Sequence, residues 1–186
     1  MLDDKEILEG CKNNDRKAQE LLYNKYASLF LGVLCRYSKN RAEAEDILQE
    51  AFVKIFRHID QFRGDSSLYT WMRRVVVNTA IRHFQNNADF QFNIPLDENI
   101  EVKEKKEDIV EFAAEDIVKV LQKLPPGFRA IFNLHAIEGY KHKEIATMLN
   151  ISENTSRSQY IRAKKYLQNI FYKNSDISDL VYMIIF

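Results

Sequence analysis

The stretch from Gly139 to Leu167, GYKHKEIATMLNISENTSRSQYIRAKKYL, limits the fold more than any other part of the chain. Lys143 to Leu149 puts Ile145, Ala146, Met148 and Leu149 at spacings that give a short helix one buried face. Asn150 suits the left-handed position that ends such a helix, because Asn accepts positive φ better than most residues with a side chain. Ile151 and Ser152 then supply an apolar staple and an N-cap for a second helix. In that helix Tyr160, Ala163, Leu167 and Ile170 fall on one side, with Asn154, Arg157, Ser158, Arg162 and Lys165 on the other. Two helices joined by so short a turn, with Ala146 at their close approach, read as a helix-turn-helix. Cations and small hydrogen-bonding groups at the start of the second helix match the base edges and phosphates of a DNA major groove. An ordinary helical hairpin with a solvated basic face is the alternative that periodicity leaves open.

Helical spacing governs the rest as well. With only 5 Gly and 3 Pro in 186 residues the chain has few breaks, and long amphipathic segments with hardly any alternating Val/Ile/Thr runs predict an all-α fold. Asp3 to Glu6 resembles a capping box that opens a short helix through Ile7 and Leu8. Asp15 caps a longer helix with Ala18, Leu21, Leu22, Tyr26, Leu29, Phe30, Val33 and Leu34 at core spacing. Asn40 caps a third, whose stripe is Ile47, Leu48, Ala51, Phe52, Ile55, Phe56 and Ile59. Its other face carries Asp46, Gln49, Glu50, Val53 and Arg57, a ridge suited to a protein partner with basic side chains. A solvated acidic first turn, favoured by the helix dipole, would look the same.

After Gly64 as a turn residue and Ser66 or Ser67 as N-cap comes a fourth helix, LYTWMRRVVVNTAIRHFQ. Leu68, Met72, Val75, Val76 and Thr79 can pack inward, while Phe62, Tyr69 and Trp71 lie near Arg63, Arg73, Arg74 and Arg82. Rings interleaved with guanidinium groups suit unstacked bases, because stacking contributes about 1–3 kcal/mol per base whatever the sequence. A core Trp flanked by surface arginines is the competing account.

Periodicity lapses over residues 89–111, a connector with Pro95, mixed charge and no regular spacing, so it reads as a flexible acidic linker. It separates a first domain, 1–88, from a second, 112–173, and an apolar tail, 174–186, follows. In the second domain Phe112, Ile117, Val120, Leu121 and Leu124 precede Pro125-Pro126-Gly127, and Phe128, Ile131, Phe132 and Leu134 begin the next helix, which Gly139 stops. The tail packs on the second domain or on a regulatory partner. The formal net charge of +0 would count against a nucleic-acid partner, but the acids concentrate between Asp97 and Asp116 and leave basic flanks on both sides. Cys11 and Cys35 give no disulfide framework, no signal peptide is legible, and no apolar run approaches a bilayer span, so a reduced, cytoplasmic setting without membrane insertion is expected. His58, His83, His135 and His142 are dispersed, no paired Cys/His spacing points to a metal, and no catalytic residues or cofactor motif appear.

Three blocks in order, AEDILQEAFVKIF, FRGDSSLYTWMRRVVVNTA and EGYKHKEIATMLNISENTSRSQYIRAKKYL, resemble the extracytoplasmic-function (ECF) sigma factors of bacterial RNA polymerase. The resemblance spans about residues 5–172 and implies a non-catalytic promoter-specificity subunit. It implies that Asp46, Gln49, Glu50, Phe52, Val53 and Phe56 dock on core RNA polymerase, at the clamp of the largest subunit, with the flap as a further partner surface. Phe62, Arg63, Ser66, Tyr69, Trp71, Arg73, Arg74 and Asn78 would hold an extruded base and the non-template strand of the minus-ten element. Asn154, Arg157, Ser158, Gln159 and Arg162 would meet minus-thirty-five promoter DNA, with Lys164 and Lys165 nearer phosphates. An anti-sigma factor is a further implied partner. Two positions depart from the family pattern: Asn150 stands where Gly is usual, and Ser156 stands where the inner face commonly carries an apolar residue. A buried hydroxyl there needs a partner, expected to be the carbonyl one turn back. A free-standing helix-turn-helix regulator that binds duplex DNA without polymerase is the alternative. It would leave Trp71, Arg74, Asn78 and the Asp46 ridge without a role.

Overall fold

The computed structural model describes residues 4–85 and 114–173. Among these every regular element is helical, and the chain divides into two compact units, residues 1–83 and 84–186. The expected linker, Asp3, Phe112 and the apolar tail lie outside the described residues.

The first unit contains α1 (Asp4–Lys12), α2 (Arg16–Cys35), α3 (Arg41–His58) and all but the last two residues of α4 (Leu68–Gln85). Gly10 lets α1 lie against α2, since a Cβ there would come within 2.5 Å of Ala18 Cβ. Asp15 starts α2 by accepting the Lys17 N–H at 2.9 Å. Asn40 starts α3 through the Glu43 N–H at 2.9 Å, while Glu43 reaches back to the Lys39 N–H at 2.8 Å. Both caps are the ones the sequence predicts, and between the two alternatives for α4 it is Ser67 that accepts the Thr70 N–H. Leu22, Phe30, Leu34, Ile47, Ile55, Met72 and Val76 close the core. The buried face of α4 is wider than the spacing predicts: Val77, Ala80, Ile81 and Phe84 are buried too, whereas Val75 is half-exposed.

The second unit contains α5 (Ala114–Gln122), α6 (Pro126–Phe132), α7 (His142–Leu149) and α8 (Glu153–Lys173). Its core joins Leu121, Leu124, Phe128 and Phe132 to Ala163 and Leu167 of α8. Pro126 sits at the first turn of α6, where its missing N–H costs nothing. A π turn, Asn133–Ile137, extends α6, and Gly139 at φ +78° ends it. α7 ends on Asn150 in the left-handed conformation, φ 54° and ψ 49°. Ser152 then opens α8 by accepting the Thr155 N–H at 2.9 Å. The turn is built as expected, but the seat between the two helices is made by Ile145 and Leu149, with Ala146 only half-buried.

Candidate nucleic-acid interface

On α4, Trp71, Arg74, Asn78 and Arg82 follow one another at helical spacing and form a single stripe. Arg74, Asn78 and Arg82 are exposed and Trp71 is half-buried. The Trp71 ring is supported by Phe62 from the preceding loop, centroids 5.7 Å apart. Gly64, at φ +85°, turns that loop so that Arg63, Asp65 and Ser66 stay exposed beside the stripe. Tyr69 and Arg73 sit on another side of the helix. Tyr69 stacks on Phe30 at 5.5 Å and lies 6.2 Å from Tyr26, and the Arg73 guanidinium donates to its hydroxyl at 3.1 Å. Asp4 completes this layer by accepting from Lys25 and from the Tyr26 hydroxyl. The Lys25 hydrogen bond holds the Asp4 carboxyl below the usual carboxylate range, and burial pushes the Tyr26 phenol up. Thus the aromatic residues that the sequence groups together divide into a supported exposed stripe and a layer anchored to α2.

On α3 the ridge of Asp46, Gln49, Glu50, Val53 and Arg57 is exposed throughout, with Val53 55% accessible at its centre. Glu50 pairs with Lys54 one turn on, at 2.6 Å, so the ridge is less acidic than its sequence implies. Phe52 is a correction to the expected polymerase contacts: it is 3% exposed, because the spacing from Leu48 carries it inward against Phe30 and Tyr23. Phe56 is half-buried at the edge of the same ring cluster.

On α8, Asn154, Arg157, Ser158, Arg162 and Lys165 are all exposed, and Lys164 is half-buried at the margin. Glu153 pairs with Arg157 and holds its guanidinium on the open face. Ser158 donates to the Thr155 carbonyl at 3.1 Å. Gln159 is the second correction: at 5% exposure it lies between Ser156 and Ala163 on the inner side of the helix and is not on the open face. Ile161, which the sequence reading did not single out, stands 57% exposed among the cations.

The family profile for Sigma-70 region 2 matches residues 22–89, and that for Sigma-70 region 4 matches residues 114–167. The chain is 31% identical over 175 residues to the RNA polymerase sigma-H factor of Pseudomonas aeruginosa, covering 87% of this chain and 90% of that protein. To the ECF RNA polymerase sigma-E factor of Escherichia coli K12 it is 30% identical over 188 residues, covering 90% and 94%. The chain belongs to the ECF sigma factors. Among solved structures, CnrH in complex with the cytosolic domain of CnrY shares the fold, with a TM-score of 0.50 at 17% identity over 90% of this sigma factor and 96% of that chain.

As a sigma factor the protein is a non-catalytic subunit that binds core RNA polymerase and promoter DNA and directs promoter-specific initiation. The two profile matches fall one in each compact unit for almost all of their length. No group of His, Cys, Asp or Glu among the described residues is arranged to hold a metal ion, and no described helix is long and apolar enough to cross a membrane. Cys11 is a buried thiol, and burial pushes it up to about 11.

Two further findings overturn expectations from the sequence of this sigma factor. The Ser156 hydroxyl, fully buried, bonds to His142 Nδ1 at 2.9 Å, not to a carbonyl one turn back. The dispersed histidines are not all apart either: the His135 and His142 rings stack at 4.1 Å, brought together by the π turn and the first residue of α7. The only warning in the sequence was a polar residue at an inward position, which demands a partner without naming it.

Proposed function

We propose that this sigma factor opens the minus-ten element with the Phe62, Trp71, Arg74 and Asn78 stripe and reads the minus-thirty-five duplex with the exposed face of α8. The observation that carries the second half is the division of α8. Arg157, Arg162 and Lys165 lie on one side with Asn154 and Ser158, while Ala163 and Leu167 are buried on the other. A helix so divided can enter a major groove with its N-terminal side chains at base edges and its lysines at phosphates.

The first half is supported by ring geometry. Extruding a base costs a few kcal/mol, and a ring already braced by a neighbour, with an amide and two guanidinium groups beside it, offsets part of that cost. Trp71 braced by Phe62, with Asn78, Arg63 and Arg74 exposed nearby, has that composition. Tyr69 and Arg73 support the layer beneath the stripe, and Ser66 borders it. The α3 ridge, with Asp46, Gln49, Glu50 and Val53 exposed and Phe56 at its edge, docks on the clamp of core polymerase. Two weak DNA contacts on one chain reinforce each other through effective concentration, so neither unit needs high affinity alone. Control by an anti-sigma factor belongs to the same reading, supported by the CnrH neighbour, which is bound to the cytosolic domain of CnrY.

The test is transcription by core polymerase supplemented with this chain on fragmented genomic DNA, with sequencing of the 5′ ends. A shared pair of upstream motifs at one spacing is the expected outcome. Starts no different from those of core enzyme alone would end the reading.

A further inference from the structure

On the inner face of α8 the chain buries Ser156 completely. The Ser156 N–H is already bonded to the Ser152 carbonyl, and its hydroxyl meets His142 Nδ1 across the gap between α7 and α8. His142 is the first residue of α7, so the bond ties the start of one helix to the first turns of the other. Its ring stacks on His135 at 4.1 Å with 26° between planes. The His135 Nδ1 faces the Tyr140 carbonyl at 2.9 Å, and since a carbonyl only accepts, that nitrogen carries a proton. Tyr160 of α8 closes the group, edge-on to His135 at 4.6 Å and 5.7 Å from His142. The π turn, α7 and α8 therefore meet at three rings and one hydroxyl.

We propose that His142 is a positioning residue for the recognition helix: its bond to Ser156 and its stack on His135 set the pitch of α8 against α7, and acidification sets the stacked rings against each other and leaves Nδ1 able only to donate to a hydroxyl that must then accept. The inference rests on the reading of α8 as the minus-thirty-five reader. Among the described residues, His142 is faced from two elements. His135 comes from the π turn and Arg157, Glu153 and Tyr160 from α8, and only Glu153 would favour a charged imidazole. Burial is the main cause that holds the His142 pKa below its ordinary value, followed by His135 and Arg157. Two like charges cannot share a stack this close, so the contact does not survive with both rings protonated. The sign follows from linkage. A folded pKa below the ordinary 6.5 means that a loosened α8 binds protons more readily, so the contact is intact above that pH and is lost as pH falls through the folded pKa. Ordinary phosphate electrostatics predicts the reverse, since protonated histidines strengthen DNA binding.

The test uses holoenzyme formed from core polymerase and the full chain. It measures the affinity ratio between a duplex carrying the upstream motif recovered from transcript starts and a scrambled duplex, which cancels non-specific charge effects. Between about pH 7.5 and about pH 5.5 the ratio should fall about three- to tenfold, tenfold being the ceiling for one proton on an ordinary imidazole. His142→Phe keeps a ring in the stack but strands the hydroxyl, and should lower the ratio several-fold at the higher pH. Adding Ser156→Val should recover it, and the double variant should show little pH dependence. A flat wild-type profile, no recovery in the double variant, or a double variant that titrates like wild type would each overturn the proposal. Arg157→Ala and Arg162→Ala check separately that α8 reads the duplex. If they leave the ratio unchanged, the proposed function fails instead, and imidazole NMR then decides the contact alone. Coupled titration of His135 and His142 supports it, and a His142 ring titrating by itself at an ordinary pKa refutes it.

Discussion

The two units prepare their surfaces in different ways. In the first, rings do the work: Trp71 is braced by Phe62, and Tyr69 is fixed between Phe30 and Arg73. In the second, the exposed face of α8 from Asn154 to Lys165 carries long cations and small polar groups around Ile161, with Arg157 held by Glu153. Stiff, half-buried rings lose little rotamer freedom when a base stacks on them, which suits single strands. Long cations keep their reach and can adjust to base edges and phosphates of a duplex that is already rigid. The comparison teaches that the proposed division of labour is written in side-chain stiffness as much as in charge.

The comparison can be broken most directly at the first unit. Trp71→Ala combined with Asn78→Ala should reduce strand opening by about thirty- to a thousandfold, from about 1–3 kcal/mol of stacking plus about 1 kcal/mol for an amide contact, while duplex binding is spared. Permanganate reactivity near the start site measures it, and wild-type reactivity would remove the stripe from the mechanism. The converse change is Arg157→Ala or Arg162→Ala, expected to cost about 1–3 kcal/mol on the cognate upstream duplex and to relax its specificity. Equal loss on every sequence would make the contact one to phosphate. Strand opening on a template already melted at the minus-ten element should not change.

Smaller effects sharpen the separation of the units. Asn150→Ala removes the side chain that tolerates φ 54° and should destabilise the second unit by about 1 kcal/mol. Trp71 is the only tryptophan in the chain, so its fluorescence reports the first unit, and its denaturant midpoint should stay put while the helical circular dichroism shifts. A common shift in both signals would show that the units unfold together. The smallest effect belongs to Asp4→Asn, an exposed pair expected to contribute about 0.5 kcal/mol or less to the first unit. Because the Lys25 bond lowers the Asp4 pKa, that contribution is present above the ordinary 3.8 and is lost as pH falls through the folded value. The difference between wild type and variant should therefore vanish in acid, as urea titrations at two pH values would read.

Much of this molecule is legible in the order of its residues, because helices are local. The caps at Asp15, Asn40 and Ser152, the left-handed Asn150 and the breaks at Pro126 and Gly139 each depend on neighbours within a turn or two. The exposed face of α8 follows from the same period, with one error at Gln159 where the inner side reaches further round than the spacing implied. Phe52 fails for a related reason: periodicity marks an apolar stripe but cannot tell its buried centre from its accessible edge, which depends on where the rings of α2 sit.

What the sequence determined by itself is therefore the set of helices, their ends and the helix-turn-helix, along with the family to which the chain belongs. What only tertiary structure decided are the meetings of residues on different elements: Trp71 on Phe62, Tyr69 on Phe30, and above all His142 on both Ser156 and His135. The physical reason is range. Helical periodicity is set by bonds four residues apart, whereas a buried hydroxyl takes whichever partner the packing of other helices brings within reach.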